Sequence, residues 1–206
     1  AMKITYSLGS IDNSGGIERV ISTKANYFAD TLGYEVHIVV AGKQPDRLFF
    51  SFSNKIKFHY LGLTLKRATP WMVLFGRNDK IYKDKLEAIL NEIKPDITIS
   101  VFGADAEFLY QLNDGSKKVL EFHFTKNYLK HLGDAMENDR LHWLRKQWLS
   151  LLTWREAQTA KHYQHIVVLT ERDRQLWGGG DRFTAIPNPL SFRTEQQASL
   201  ENPRIV

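Results

Sequence analysis

Apolar positions along the chain alternate between two spacings. Lys3-Ile4-Thr5-Tyr6-Ser7-Leu8 reads as a strand, and Ile17, Val20, Ile21, Phe28 and Leu32 then fall on one helical face. Glu35–Ala41 is a buried strand, and Lys55–Leu61 alternates as a half-exposed one. Ile81, Leu86, Ile89, Leu90 and Ile93 mark a helix that ends at Pro95-Asp96. Ile97–Phe102 follows as a strand, Ala104–Asn113 as a short helix closed by Asp114-Gly115, and Lys118–Phe124 as a strand. A long helix is expected from about Tyr128 to His162, with Leu141, Leu144, Trp148, Leu151 and Leu152 inward. Ile166–Thr170, a brief helix Arg172–Trp177 and a last strand Phe183–Pro189 complete the pattern. Unbroken β-α alternation predicts an α/β fold: a Rossmann-like, doubly wound, mostly parallel sheet of about seven strands.

The second half of the pattern ends near Leu190. Ser191–Pro203 is polar, with Gln196, Gln197 and Ser199, and reads as a linker; Arg204-Ile205-Val206 reads as the start of another strand. The expected organisation is therefore one domain over 1–190, followed by an interdomain linker and the start of a second domain over 191–206. Ala1 before Met2 reads as a cloning remnant.

The most informative polar segment is Ser10–Arg19, between the first strand and the first helix. Gly15 and Gly16 fall where the helix begins, a place with unpaired N–H groups and partial positive charge. Glycine there lets a phosphate or sugar approach the backbone. The same residues also suit a plain βα turn, with Asn13 or Ser14 as helix N-cap. No G-x-G-x-x-G and no Gly-Lys-Ser/Thr is present, so neither common nucleotide fingerprint applies.

Charge and composition narrow the classes. The 206 residues carry 28 Lys+Arg against 23 Asp+Glu, a net charge of +5, and no cysteine. Disulfides and thiolate zinc sites are excluded. No apolar run is long enough to span a bilayer and no signal peptide is seen, so a cytoplasmic location is expected, at most peripheral to the inner face of a membrane. The excess of positive charge lies between Lys117 and His165, with nine Lys/Arg and five acids. Interleaved Tyr128, Trp143 and Trp148 suit interfacial membrane contact, capture of an anionic acceptor or nucleic acid, but first of all a buried helix with a solvated charged face; Trp148 falls on the core stripe and Trp143 toward solvent. His162 and His165 are three apart without a supporting ligand set, and no metal site is expected. Gly178-Gly179-Gly180 reads as a flexible loop.

Four segments occur in order: Gly15-Gly16-Ile17-Glu18-Arg19, Glu121-Phe122-His123-Phe124, Val167–Asp173 and Ile186-Pro187-Asn188-Pro189-Leu190. Together they resemble the N-terminal domain of family 4 glycosyltransferases, which have the two-domain GT-B architecture. The resemblance implies retaining sugar transfer from a nucleotide-sugar to a glycan or lipid-linked acceptor, with no cofactor, no obligatory metal and no nucleic acid partner. It implies that His123 faces the transferred sugar, that Gly15 and Gly16 form the donor phosphate and sugar loop, and that Glu18, Arg19, Thr170 and Glu171 contact the acceptor. Donor contacts would come mainly from a second domain bearing paired glutamates, so the chain alone is expected to be inactive. Each residue also has a structural reading: His123 as a hydrogen-bonded core histidine, Glu18 as a carboxylate favoured by the helix dipole, Thr170 as the cap of the next helix. Two other functions compete: a non-catalytic nucleotide- or phosphate-binding α/β module, and a basic interaction domain.

Overall fold

The β-α alternation closes into one sheet in the computed structural model, which describes residues 1–66, 69–76, 79–135 and 142–190. Seven parallel strands form one sheet: β1 (Lys3–Leu8), β2 (Glu35–Val40), β3 (Lys57–Tyr60), β4 (Ile97–Ser100), β5 (Lys117–Glu121), β6 (His165–Val168) and β7 (Phe183–Ala185). Their order is β3-β2-β1-β4-β5-β6-β7, so the winding reverses between β1 and β4. Both faces are covered. Ile4, Tyr6, Leu8, Val36, Ile38 and Val40 pack under helix α1 (Gly16–Asn26) through Ile21 and Ala25. Val39, Leu120 and Ile166 point the other way, against Leu86, Leu90 and Ile93 of α3 (Lys80–Ile93). β2, apolar on nearly all of both faces, loses its alternation as buried parallel strands do, whereas β1 and β4 keep it because buried Thr5, Ser7, Thr98 and Ser100 occupy their other face.

The expected parallel α/β fold is present, and the boundaries differ instructively. Strands end earlier than their apolar runs: β4 stops at Ser100 rather than Phe102, and β5 at Glu121 rather than Phe124. The residues left over, Val101–Phe102 and Phe122–Phe124, leave the sheet at its carboxyl edge. Ala104–Gln111 is two 3₁₀ turns rather than an α-helix. The long helical region contains α4 (Tyr128–Ala135) and α5 (His142–Ala160), and residues 136–141, including Leu141 of the expected stripe, lie outside the described residues. The segment 191–206, where a linker was expected, also lies outside them.

Helix α2 (Pro70–Phe75) was not anticipated. Its signal was present: Thr69 is the N-cap, accepting a hydrogen bond from the Met72 amide, and Pro70 occupies the first helical position. Trp71 and Phe75, one turn apart, stack on each other at 5.6 Å and stand 71% and 76% exposed. The last helix, α6 (Glu171–Leu176), is capped by Thr170. Among the described residues no helix is long and apolar enough to cross a membrane.

The expected inward stripe of α5 is corrected. Leu144 is exposed, Trp148, Leu151 and Leu152 are only half-buried, and full burial is confined to Thr159 and Ala160 at the helix end. Trp148 is therefore not a core residue. Trp143, expected toward solvent, is 64% exposed.

Candidate functional site

At the topological switch point, the loops after β1, β4 and β5 open into a cleft of about 280 Å³. Leu8 and Ser10 form one wall with Ile17 and Glu18 of α1; Val101, Phe102 and Gly103 form the floor; Phe122, His123 and Phe124 follow β5; Tyr128 and Glu156 come from α4 and α5. Two backbone features shape the floor. Phe102 adopts φ +64°, a left-handed conformation that costs a bulky residue about 1–2 kcal/mol. Its ring packs edge-on against Phe122 at 4.9 Å. A Cβ on Gly103 would stand 2.7 Å from Asp105 Oδ1, so glycine leaves room for that carboxyl under the cleft.

Asp105 is wholly buried. Below it, the register pairs Thr5 with Thr98 and Ser7 with Ser100, a row of small hydroxyl residues on one face of the sheet. Burial pushes Asp105 up to about 6, against the opposing pull of the Ser100 and Ser7 hydroxyls.

His123 is the most enclosed polar group of the cleft wall, its side chain 3% exposed. Because β5 ends at Glu121, the histidine sits two residues past the strand rather than at its last position. Neither ring nitrogen completes a hydrogen bond among the described residues. Burial lowers its pKa, Glu121 pulls the other way, Lys24 lowers it further, and Asn188 near the ring favours the charged form. A neutral imidazole offers one donor and one acceptor to a ligand. Beneath it lies an ion pair the sequence reading had not singled out. Lys24 Nζ of α1 donates to Glu121 Oε1, with Glu121 buried and Lys24 largely enclosed. Glu121 Oε2 has no hydrogen-bond partner and lies 3.8 Å from His123 Nε2. The helix that carries the glycine loop is thus clamped to the strand that presents the histidine.

The glycine loop reaches this cleft through its successors. Gly15 is the N-cap of α1, without a side-chain cap, so neither Asn13 nor Ser14 is the N-cap; Asn13 Nδ2 instead donates to Ser10 Oγ at 3.2 Å. A Cβ on Gly15 would collide with the Glu18 carboxylate, which folds back over the helix start. A Cβ on Gly16 would meet nothing within 4 Å. Ile17 and Glu18 line the cleft, whereas Gly15 and Gly16 precede them and do not line it, and Arg19 is exposed.

Thr170 and Glu171 are engaged elsewhere. Thr170 Oγ1 accepts from the Asp173 amide at 3.0 Å and donates to Asp173 Oδ2 at 2.7 Å, while Thr125 Oγ1 donates to Asp173 Oδ1 at 2.7 Å. Glu171 pairs with Arg174 at 2.8 Å. Neither residue lines the cleft. His162 stacks flat on Tyr110 at 4.3 Å, and no group of three or more potential metal-ligating side chains occurs among the described residues.

Glu156 was also missed. Nothing in the local sequence marks it, because a single glutamate in a charged helix has no motif around it. It lines the cleft and an adjoining cavity of about 260 Å³ that continues over Val73, Leu129 and Leu152. Burial raises its pKa to about 7.

The seven-stranded parallel Rossmann-like sheet with a cleft at its switch point matches about half of each of several solved GT-B glycosyltransferases. The chain superposes on sucrose-phosphate synthase from Thermosynechococcus elongatus with a TM-score of 0.62 at 11% identity, covering 91% of this chain and 48% of that one. For the lipopolysaccharide outer core galactosyltransferase WaaB the values are 0.54, 16%, 94% and 47%. For a UDP-glucosyltransferase from Polygonum tinctorium they are 0.56, 12%, 100% and 54%. The chain thus spans about half the length of the solved proteins it matches. The Glycosyltransferase Family 4 profile matches residues 14–192, and the chain belongs to that family. A comparison with curated protein sequences gives no match.

Proposed function

We propose that this chain is the acceptor-side domain of a retaining glycosyltransferase that moves a sugar from a nucleotide-sugar to a glycan or lipid-linked acceptor. The observation that carries the reading is the cleft itself: in a family 4 chain, it brings Ile17 and Glu18, which follow the glycine loop, together with an enclosed His123. An acceptor hydroxyl oxygen forms the new bond to the anomeric carbon, the bond from that carbon to the diphosphate breaks with its electron pair leaving on the nucleoside diphosphate, and the hydroxyl proton passes to the departing diphosphate oxygen. Neutral His123 holds a hydroxyl of the transferred sugar. The α1 N-terminus at Gly15-Gly16 favours the negative diphosphate. Glu18, which lines the cleft, contacts acceptor, and Arg19, Thr170 and Glu171 contact it from outside the cleft.

In this proposal, residues beyond 190 lead to a second domain that holds the donor, and the chain by itself turns over no sugar. Transfer requires no metal. The protein works in the cytoplasm, touching a membrane surface peripherally; exposed Trp71, Phe75 and Trp143 support that contact.

The test is transfer by the complete protein across a panel of UDP- and GDP-hexoses with sugar and lipid acceptors, with the product's anomeric configuration read by NMR. Retained configuration and a fall in turnover for His123→Ala are expected. Tight nucleotide binding by this chain without transfer by the complete protein would make it a binding module instead, and steeply salt-dependent nucleic acid binding would favour the interaction-domain reading.

A further inference from the structure

The cleft has a second, chemically distinct end opposite the glycine loop. Phe124 and Tyr128 stack with ring centroids 4.4 Å apart and planes 17° from parallel, and both line the cleft. Phe124 is 45% exposed although it is a large apolar side chain beside a buried one. Glu156 reaches the same space from α5 and makes no hydrogen bond or ion pair among the described residues. Its neighbour Arg155 does have a partner, Glu107 at 2.9 Å. A lone carboxyl in largely apolar surroundings is costly unless something supplies donors to it. Tyr128 feels that carboxyl: burial, and then Glu156, raise its pKa.

We propose that the Phe124–Tyr128 stack and Glu156 form a pyranose-binding subsite of the cleft, the aromatic pair as a shelf and the carboxylate as acceptor for two neighbouring sugar hydroxyls. A pyranose ring has one face of C–H bonds and a rim of hydroxyls. The C–H face suits the electron-rich face of an aromatic ring, and vicinal hydroxyls both donate to one carboxylate. Few polar groups placed over an apolar surface are the usual make-up of a specific small-molecule site. The adjoining cavity over Val73, Leu129 and Leu152 leaves room for whatever the sugar is attached to. The proposal rests on the transferase reading only in naming this sugar the acceptor.

The experiment uses the complete protein and methyl pyranosides of glucose, galactose, mannose and N-acetylglucosamine as probes, without donor, read by saturation-transfer NMR and titration. At least one probe should bind, with the strongest transfer on its ring C–H protons. Phe124→Ala and Glu156→Ala should each weaken it about ten-fold or more, and Glu156→Gln less, because the amide keeps one acceptor oxygen. Phe124→Leu keeps apolar bulk and removes the flat ring, so it serves where the alanine variant melts early; it too should weaken binding. Silence from every methyl pyranoside, binding that survives all four variants, or binding of long-chain alkyl glycosides through the alkyl chain alone would overturn the subsite. Turnover of nucleotide-sugars is measured separately. Pyranoside binding without turnover keeps the subsite and defeats the transferase reading, and turnover untouched by Phe124→Leu and Glu156→Gln does the reverse.

Discussion

Helix α1 and helix α5 were both expected to lay an apolar stripe on the sheet, and only one does. In α1, Ile21 and Ala25 sink fully against the sheet, and the polar residues that go in with them are bonded, Ser22 to the Ser51 carbonyl and Lys24 to Glu121. In α5, Trp, Leu, Arg and Lys are spread around the whole circumference, and the helix touches the core only through its last residues, Thr159 and Ala160, with Tyr163 just beyond. Tyr163 fixes that end by donating to the Ala106 carbonyl at 2.6 Å. A helix that enters the core only at its end and elsewhere mixes exposed apolar and charged side chains leaves apolar surface open to ligands or partners. The cleft lies at the seam between these two kinds of helix, with the loop of α1 on one side and Glu156 of α5 on the other.

The sharpest way to break this comparison is to fill the α1 side. Gly16→Trp should abolish transfer in the complete protein, by about a thousand-fold or more if the diphosphate is fully displaced. Because a Cβ at Gly16 meets nothing within 4 Å, the position is exposed and its φ is not left-handed, the melting temperature should stay near that of the parent. Near-normal turnover in a well-folded variant would take the loop out of the site.

A stability test separates the two layers directly. Leu86 of α3 is fully buried, and Leu86→Ala should cost about 2–4 kcal/mol in denaturant unfolding. Leu144→Ala on the exposed part of α5 should stay within about 0.5 kcal/mol. Equal losses would mean that α5 belongs to the core after all.

His123→Ala tests the seam. Its ring is enclosed and unpaired, so loss of a contact that strengthens as charge develops should lower kcat about ten- to a hundred-fold and leave acceptor KM nearly unchanged. A change in KM alone would make His123 a binding group.

How far the sequence could be read follows the same division. Wherever a segment is buried on a face of the sheet, spacing alone located it: β1, β2, β4, β6, α1 and α3 all fall within a residue or two of their apolar patterns at their starts. The carboxyl-edge residues misled, because Val101-Phe102 and Phe122–Phe124 are as apolar as a strand yet serve as cleft wall. Helix α5 misled because tryptophan and leucine on a surface look the same as in a core until neighbours are known. The place of His123 at the carboxyl edge of the sheet was legible from the apolar run it interrupts. Glu156, Lys24 and the unpaired oxygen of Glu121 were not, since their roles depend on contacts between segments far apart in the chain.

The smallest expected effect concerns pH. Glu156 has its pKa raised by burial to about 7 from an ordinary value near 4.5. The folded protein therefore holds that proton more tightly than the unfolded chain does. Stability from this group is fully present below about pH 4.5 and is lost as pH rises toward 7. Asp105, raised to about 6, acts in the same direction over a lower window, from near 3.8 to 6. Glu35 opposes them: the Lys57 and His37 contacts hold it at about 2, so its contribution is present above its unfolded value and is lost only as pH falls toward 2. Urea midpoints should consequently fall between pH 5 and 7.5. Glu156→Gln removes one source of that fall and should raise stability at pH 7.5 by about 1 kcal/mol; full conversion of the shift would give more, but the carboxyl is partly solvated. At pH 4.5 the same variant should match the parent, because the carboxyl it replaces is already neutral there. A stabilisation that persists unchanged at pH 4.5 would show that the glutamine packs better rather than that the charge was costly, and the α5 side of the cleft would then lose its claim to a strained, ligand-seeking carboxylate.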